Sequence, residues 1–417
     1  MSQKIDKNRL SPKKLRIAAF LAVMGPGMIA GLSDDDPAGI ATYSVLGANY
    51  GYQLLWVLVI STIALIIFQD LGARIGVVTR QGMIGLIRQK YGARSGTLSA
   101  GALILANIGT MTAEFAGIAA AGQLFGLSKY ISVPLAAILV SYLVLRNSFA
   151  RVEKIFFLIS AVFIAYIIAG FMAGPDWGSA LRGAVVPTMP FTQDAIFIAT
   201  ATFGTTLAPW GLAFIQSYAV DKRLTRDDLK LLRVDVWTGS LLTGIIGIFV
   251  VVTCAATLHK NGIQINDAAD AALALEPLAG TLAKELFAFG LIGAALLAAS
   301  ILPLSTAYSV SDLTGRPAAL DDSLKEAPLF YITFAAITGL SAILILIPGA
   351  PLIKILVFTQ VLNAILLLPL LIYMYGISKD KVLMGEFVSS KKMRVIYGVI
   401  ISIVAIAICC MLWFSFN

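Results

Sequence analysis

Histidine occurs once in these 417 residues and cysteine three times. A single imidazole, His259, excludes metal centres built from several histidines and leaves no His-based pair for nucleophilic catalysis. Cys254, Cys409 and Cys410 lie inside apolar runs, the last two adjacent, so no disulfide framework or thiolate-metal spacing is present. With no nucleophile–base pair and no ligand cluster, neither an enzyme nor a bound cofactor is expected. Charge is scarce as well. Asp, Glu, Lys and Arg make up 13% of the chain, about half of what a soluble domain carries. No polar stretch is long enough for a soluble output domain, which argues against a membrane sensor. The first apolar run lacks a small-residue cleavage pattern and continues into an acidic segment, so a cleavable signal peptide is not expected.

What the chain has instead is apolar length. Hydrophobic residues make up 59% and the mean hydropathy is +0.88. They fall in runs of about twenty, the helical length that crosses about 30 Å of hydrocarbon. The runs are continuous rather than alternating, which excludes a transmembrane β-barrel. Eleven segments are expected, near 17–47, 52–78, 97–125, 130–146, 153–174, 192–220, 235–258, 284–311, 328–348, 351–376 and 394–415. With the N-terminus in the cytoplasm, 26 of the 31 Lys and Arg residues fall on the cytoplasmic side, as the positive-inside rule requires. The basic surplus (31 against 23 acids) therefore reflects membrane topology, and no nucleic-acid partner is expected. The C-terminus is expected outside, in a multi-pass inner-membrane protein with the lipid bilayer as its surroundings. Trp56, Tyr130 and Trp177 near span ends fit an interfacial belt. The whole chain, 1–417, reads as a single transmembrane domain with no obligatory protein partner.

Segments 1 and 6 share an internal pattern. Asp36-Pro37-Ala38-Gly39-Ile40-Ala41 matches Ala208-Pro209-Trp210-Gly211-Leu212-Ala213 as Pro-x-Gly-aliphatic-Ala. The two copies lie five segments apart, so the second half enters the membrane from the opposite side. Pro37, Pro209 and Gly211 are expected to break both helices at one depth, since proline removes a backbone donor and glycine relaxes the chain. Two unrelated proline kinks are the plainer alternative. Facing half-helix ends and freed carbonyls at mid-membrane form an ion or substrate site in several transporters.

The acidic run Asp34-Asp35-Asp36 lies inside this apolar span. Each membrane carboxylate costs about 2.5–3.5 kcal/mol on insertion scales. Capping of a broken helix accounts for one of them, not three. Asp36, beside the proline, is expected to reach the site, and Asp35 or Asp34 to shape an aqueous vestibule. Around the second break stand Thr205, Thr206, Leu207, Ala208 and Trp210, with no Met, Cys or His among them. Oxygen donors suit hard cations, and few side-chain ligands suit an ion that keeps its water, as Mg²⁺ does. Glu114 is a lone acid in segment 3, either functional or a hydrogen-bonded acid between helices. Gln360 and Asn363 lie near the site or serve, like Asn107 and Gln123, as helix–helix glue. Asp70 is expected to pair with Arg74 at i+4, a structural contact that also sets the neighbouring Gln69 aside.

Gly25-Pro26-Gly27-Met28-Ile29-Ala30, Asp36-Pro37-Ala38-Gly39 and Tyr50-Gly51-Tyr52-Gln53-Leu54-Leu55-Trp56 together resemble the start of the Nramp divalent-metal transporters. The likeness extends over segments 1 to 10. It implies an all-α membrane protein with a LeuT-like inverted repeat (5+5): repeats at about 17–174 and 192–376, helices 1 and 6 broken mid-membrane, and an eleventh transmembrane helix at 394–415. The family reads Asp-Pro-Gly-Asn at the first break and Met-Pro-His at the second, and binds Mn²⁺ or Fe²⁺ there. Its aspartate falls on Asp36, its asparagine on Gly39, its methionine on Ala208 and its histidine on Trp210. Carbonyl ligands fall near Ser33 and Thr205. The proton-pathway Asp and Glu of its third segment fall on Met111 and Glu114, and a tenth-segment glutamine falls near Leu366 or Leu367.

The losses share a direction. Without the methionine, selection for transition metals goes; without the asparagine, the cavity widens. The pattern resembles the Nramp-related magnesium transporters. It implies uptake of partly hydrated Mg²⁺, and also Mn²⁺, as transported substrate, with proton coupling lost. The alternatives are a proton-coupled Mn²⁺ or Fe²⁺ transporter and an amino-acid or other organic-solute carrier on the same fold, although three aspartates would repel a substrate carboxylate.

Overall fold

The computed structural model describes residues 26–145, 164–316 and 324–416, and every regular element over these residues is a helix. Residues 17–25 of the first expected segment, 146 of the fourth and 153–163 of the fifth lie outside them, as do the cations from Lys4 to Arg16 and from Arg146 to Lys154.

The first segment is two helices, α1 (Pro26–Ser33) and α2 (Pro37–Tyr50), separated by a turn at the aspartates. α3 (Leu55–Thr79), a short α4 (Met83–Tyr91), α5 (Ala93–Leu124) and α6 (Lys129–Leu145) follow. α7 (Ile164–Met172) and the short α8 (Trp177–Val185) close the first half. The sixth segment is again two helices, α9 (Gln193–Thr206) and α10 (Pro209–Asp221). Then come α11 (Leu229–Thr257), α12 (Ala283–Thr314), α13 (Pro328–Leu346), α14 (Leu352–Ser378) and α15 (Lys391–Phe416).

Among the described residues eight helical stretches are long and apolar enough to cross a membrane, against eleven expected segments. The difference has local causes. Segment 1 is cut into pieces of 8 and 14 residues, α6 has 17, and the described part of segment 5 has 9.

Both breaks are written in the local chemistry. Asp36 is the N-cap of α2, its Oδ1 accepting from Gly39 N at 2.6 Å, with Pro37 at the first helical position where no donor is needed. α9 ends at Leu207, whose N–H reaches Phe203 O at 2.9 Å, and α10 restarts at Pro209. The half-helices are seated by close backbone approach, the usual device where lipid leaves no hydrophobic force between helices. Gly27 and Gly31 of α1 lie directly against the α11 backbone at Val236 and Gly239. Asp235 of α11 caps α1, accepting from Gly27 N at 2.6 Å and Met28 N at 3.3 Å. Gly117 of α5 abuts the Pro37 ring, and Gly204 of α9 abuts the Gln360 carbonyl of α14. The broken α9–α10 segment, α12 and α5 form the interior, whereas α15 is largely exposed and packs at the periphery against α9 and α14.

The expected Asp70–Arg74 pair does not form. Arg233 takes Asp70 instead (2.8 Å), and Arg74 bonds Ser389 Oγ at 2.8 Å and Tyr397 OH at 3.1 Å. An i+4 spacing permits the contact, but both side chains are taken by partners from distant segments. Gln123, expected as helix–helix glue, lies exposed at the end of α5 and holds no neighbouring helix among the described residues. Trp56 anchors Thr188 O through its indole N–H (3.0 Å), and Tyr130 and Trp177 are exposed, as befits span ends.

Candidate functional site

The two breaks face each other, and Gly39 lies at their meeting point. A Cβ built there would stand 2.8 Å from the Asp34 carbonyl oxygen and 3.3 Å from both Asp36 Oδ1 and Thr205 Oγ1. Oxygens from both half-helix pairs thus converge over a residue with no side chain. Asp34, Asp35 and Asp36 are all at most 3% exposed. Glu114, fully buried on α5, stands carboxyl to carboxyl with Asp36 and has no other polar partner among the described residues. Asp34 Oδ1, Ser33 Oγ and Thr205 Oγ1 are buried without a hydrogen-bond partner, and the Asp35 carboxylate, equally buried, has only Thr243 beside it. The ion pairs of the described residues involve none of these four acids. Charges buried this way are tolerated only when protonated or paired with a cation.

The three aspartates point apart, as consecutive residues must. Asp36 faces Gly39, Thr205 and Glu114. Asp34 faces α3 and α10: Gln69 Nε2 donates to its Oδ2 at 3.5 Å, and its Oδ1 lies over Gly211. Ser240 of α11 donates to Gln69 Oε1 at 3.2 Å, which turns the amide nitrogen towards Asp34. Asp35 lies near Thr243, whose hydroxyl donates to Gly31 O at the end of α1.

Other expected residues divide. Thr206 is engaged structurally, donating to Thr202 O (2.8 Å) and sharing a hydrogen bond with Tyr43 OH across the break (3.0 Å). Trp210 is buried with its indole N–H unpartnered, and its carbonyl accepts from Ser305 Oγ at 3.1 Å. Ala208 is buried at the restart of α10 and presents only a methyl group. Met111 is fully buried one turn before Glu114. Gln360 and Asn363 bond to each other (2.9 Å), and Asn363 reaches Thr110 on α5 (2.8 Å), so their side chains tie α14 to α5. Asn107 ties α5 to Thr306 of α12 at 2.7 Å. Among the described residues no three His, Cys, Asp or Glu side chains converge as a ready metal cage.

Sequence reading missed Gln69, Tyr43, Ser240, Thr243 and the Asp34 carbonyl. Each is polar and inside an apolar span, which was the available signal. Which helix face each would present was not.

A cavity of about 760 Å³ opens beyond the far ends of α2 and α9, lined among others by Asn49, Asp194, His259 and Lys354. Its inner wall reaches Val45 and Ile198, about two helical turns from the break. His259, whose Nδ1 meets Ala48 O at 2.9 Å, belongs to this rim and not to the centre.

Comparison with known proteins identifies the family and the fold. A Klebsiella pneumoniae protein named divalent metal cation transporter MntH is 28% identical over 396 residues, covering 92% of each chain. Among solved structures, the Eremococcus coleocola manganese transporter superposes with a TM-score of 0.77 at 17% identity, covering 95% of this chain and 87% of that one. Mhp1, a nucleobase-cation-symport-1 family transporter, superposes with a TM-score of 0.54 at 13% identity, covering 94% and 93%. The LeuT-like inverted-repeat fold, with helices 1 and 6 broken, is the one shared with these structures. The family model described as natural resistance-associated macrophage protein-like matches residues 27–414, and the chain belongs to that family, Nramp.

Proposed function

We propose that this protein carries a divalent cation into the cell, Mg²⁺ foremost and also Mn²⁺, held partly hydrated between the two breaks and moved without proton cotransport. The observation that carries the reading is the set of four buried acids without a counter-cation, next to unpartnered hydroxyls and with no sulfur or imidazole at the second break. Asp36 supplies the direct charge, and the Asp34 carbonyl and Thr205 supply neutral oxygens. Ala208 presents only a methyl group, which suits an ion that gives up its water reluctantly, whereas Gly39 does not widen the gap as expected: the Asp34, Asp36 and Thr205 oxygens close over it. Lack of a convergent cage fits an ion that brings its own ligands. The names of the relatives, a divalent metal cation transporter and a manganese transporter, support the divalent class.

The protein is taken as one domain crossing the plasma membrane, with its N-terminus in the cytoplasm and its C-terminus outside. The 760 Å³ cavity is then the outer entrance. The test is flux into proteoliposomes loaded with a Mg²⁺ indicator and a pH dye. Mg²⁺ entry without internal acidification is expected. Absence of Mg²⁺ flux, alongside active Mn²⁺ flux by the same preparation, rejects the Mg²⁺ assignment.

A second reading, proton-coupled Mn²⁺ transport, is favoured by one observation: Glu114 stands beside Asp36 as a carboxyl able to take a proton. On that reading uptake acidifies the lumen and Mg²⁺ fails to compete.

A further inference from the structure

Away from the breaks, a second cavity of about 320 Å³ lies between the last turns of α3, the start of α11 and the segment 386–388 that leads to α15. Four cations line it, Arg74, Arg226, Lys230 and Arg233, against two carboxylates, Asp70 and Glu386, which leaves a surplus of two positive charges. Arg233 is neutralised by Asp70 at 2.8 Å. Arg226 is only loosely matched: Glu386 lies 4.0 Å away with both side chains mostly exposed, and the guanidinium rests 5.4 Å above the Phe387 ring. Arg74 spends its NH2 on two neutral oxygens, Ser389 and Tyr397, and its Nε is buried with no partner. Lys230 takes part in none of the ion pairs among the described residues.

We propose that this cavity binds a phosphate-bearing anion, seated between Lys230, Arg226 and Arg74. Two features favour a phosphate over a small halide. The planar guanidinium donors match tetrahedral oxyanions, and the cavity is several times the volume of one water molecule, about 30 Å³. The cavity sits where two membrane-crossing helices end, on the face that the charge asymmetry assigns to the cytoplasm. A phospholipid headgroup of the inner leaflet and a free phosphate of the cytosol both meet that chemistry. Glu386 acts against the anion, and Lys230 for it.

The intact protein in nanodiscs separates the sources. In one arm, neutral phosphatidylcholine discs are doped with phosphatidylglycerol, and retained lipid is read by native mass spectrometry together with the melting temperature. In the other, inorganic phosphate is added to discs of phosphatidylcholine alone. Retention of phosphatidylglycerol, weakened about fivefold in Lys230→Gln (about 1 kcal/mol per basic residue) and strengthened in Glu386→Gln, supports the site with a lipid occupant. Stabilisation by inorganic phosphate with the same opposite responses supports it with a soluble occupant. Because Glu386 is largely exposed, its variant tests the site without disturbing the fold. If neither anion stabilises the wild type, or if the two variants respond alike, the proposal is overturned.

Discussion

Asp36 does two jobs at once, and a substitution can separate them. Its carboxylate caps α2 through Gly39 N and also faces the gap between the breaks. Alanine would remove both the charge and the cap, a loss of about 1 kcal/mol from the helix end. Asparagine keeps an acceptor for Gly39 and removes the charge alone. Asp36→Asn is therefore expected to abolish divalent-cation flux while leaving the melting temperature within about 2 °C of wild type, since caps of either residue rank alike. Retained flux would remove Asp36 from the ion path. The positions where the resemblance would set the family's soft and amide ligands can be tested in the same way. Ala208→Met brings a thioether to the second break and is expected to shift competition towards Mn²⁺ over Mg²⁺, since sulfur favours transition metals. Restoring an asparagine at Gly39 is a different matter. Its Cβ would stand 2.8 Å from the Asp34 carbonyl, so the first break has to move, and Gly39→Asn is expected to lower flux of both ions. Equal Mg²⁺ and Mn²⁺ competition in Ala208→Met would place selectivity elsewhere.

At the level of elements, glycine contacts hold the half-helices in place, and those on α5 give a matched pair of measurements. A Cβ at Gly117 would run into the Pro37 ring, whereas one at Gly101 on the same helix meets nothing within 4 Å. Overpacking costs about 1–3 kcal/mol, while alanine for glycine in an open helix position gains up to about 1 kcal/mol. Gly117→Ala should thus melt lower and transport poorly, and Gly101→Ala should melt at or above wild type, both read by thermal unfolding in detergent. Equal melting of the two would mean that the Pro37 contact yields without cost. The breaks themselves were legible in the sequence, because proline at a helix start and aspartate before it are local chemistry. The partners across the breaks were not. Tyr43 meets Thr206, Gln69 meets Asp34, and Asp70 chooses Arg233 over Arg74, all through contacts between distant segments.

Over the whole molecule, the charge layout carries a consequence for energetics. If the ion moves alone, a divalent charge falling through the membrane potential releases about 4.6 kcal/mol per 100 mV, twice the single-charge value. Mg²⁺ uptake into proteoliposomes is then expected to rise steeply when a potassium diffusion potential makes the lumen negative, and to be unmoved by a pH gradient. The reverse dependence would mark proton-driven transport. The architecture suits such a path. The α9–α10 segment, α12 and α5 form the buried interior, the cavity beyond α2 and α9 approaches the break, and α15 stands at the periphery.

Composition and periodicity by themselves settled that the chain is helical and built for a bilayer, because runs of about twenty apolar residues have few other stable fates. They also settled where two helices must break, since proline and a capping aspartate act within one turn of chain. Tertiary structure alone decided which oxygens converge on Gly39, which acid stands beside Asp36 and which amide turns to Asp34. Those facts depend on the rotation and depth of each helix against its neighbours, which small-residue packing fixes and no single segment encodes.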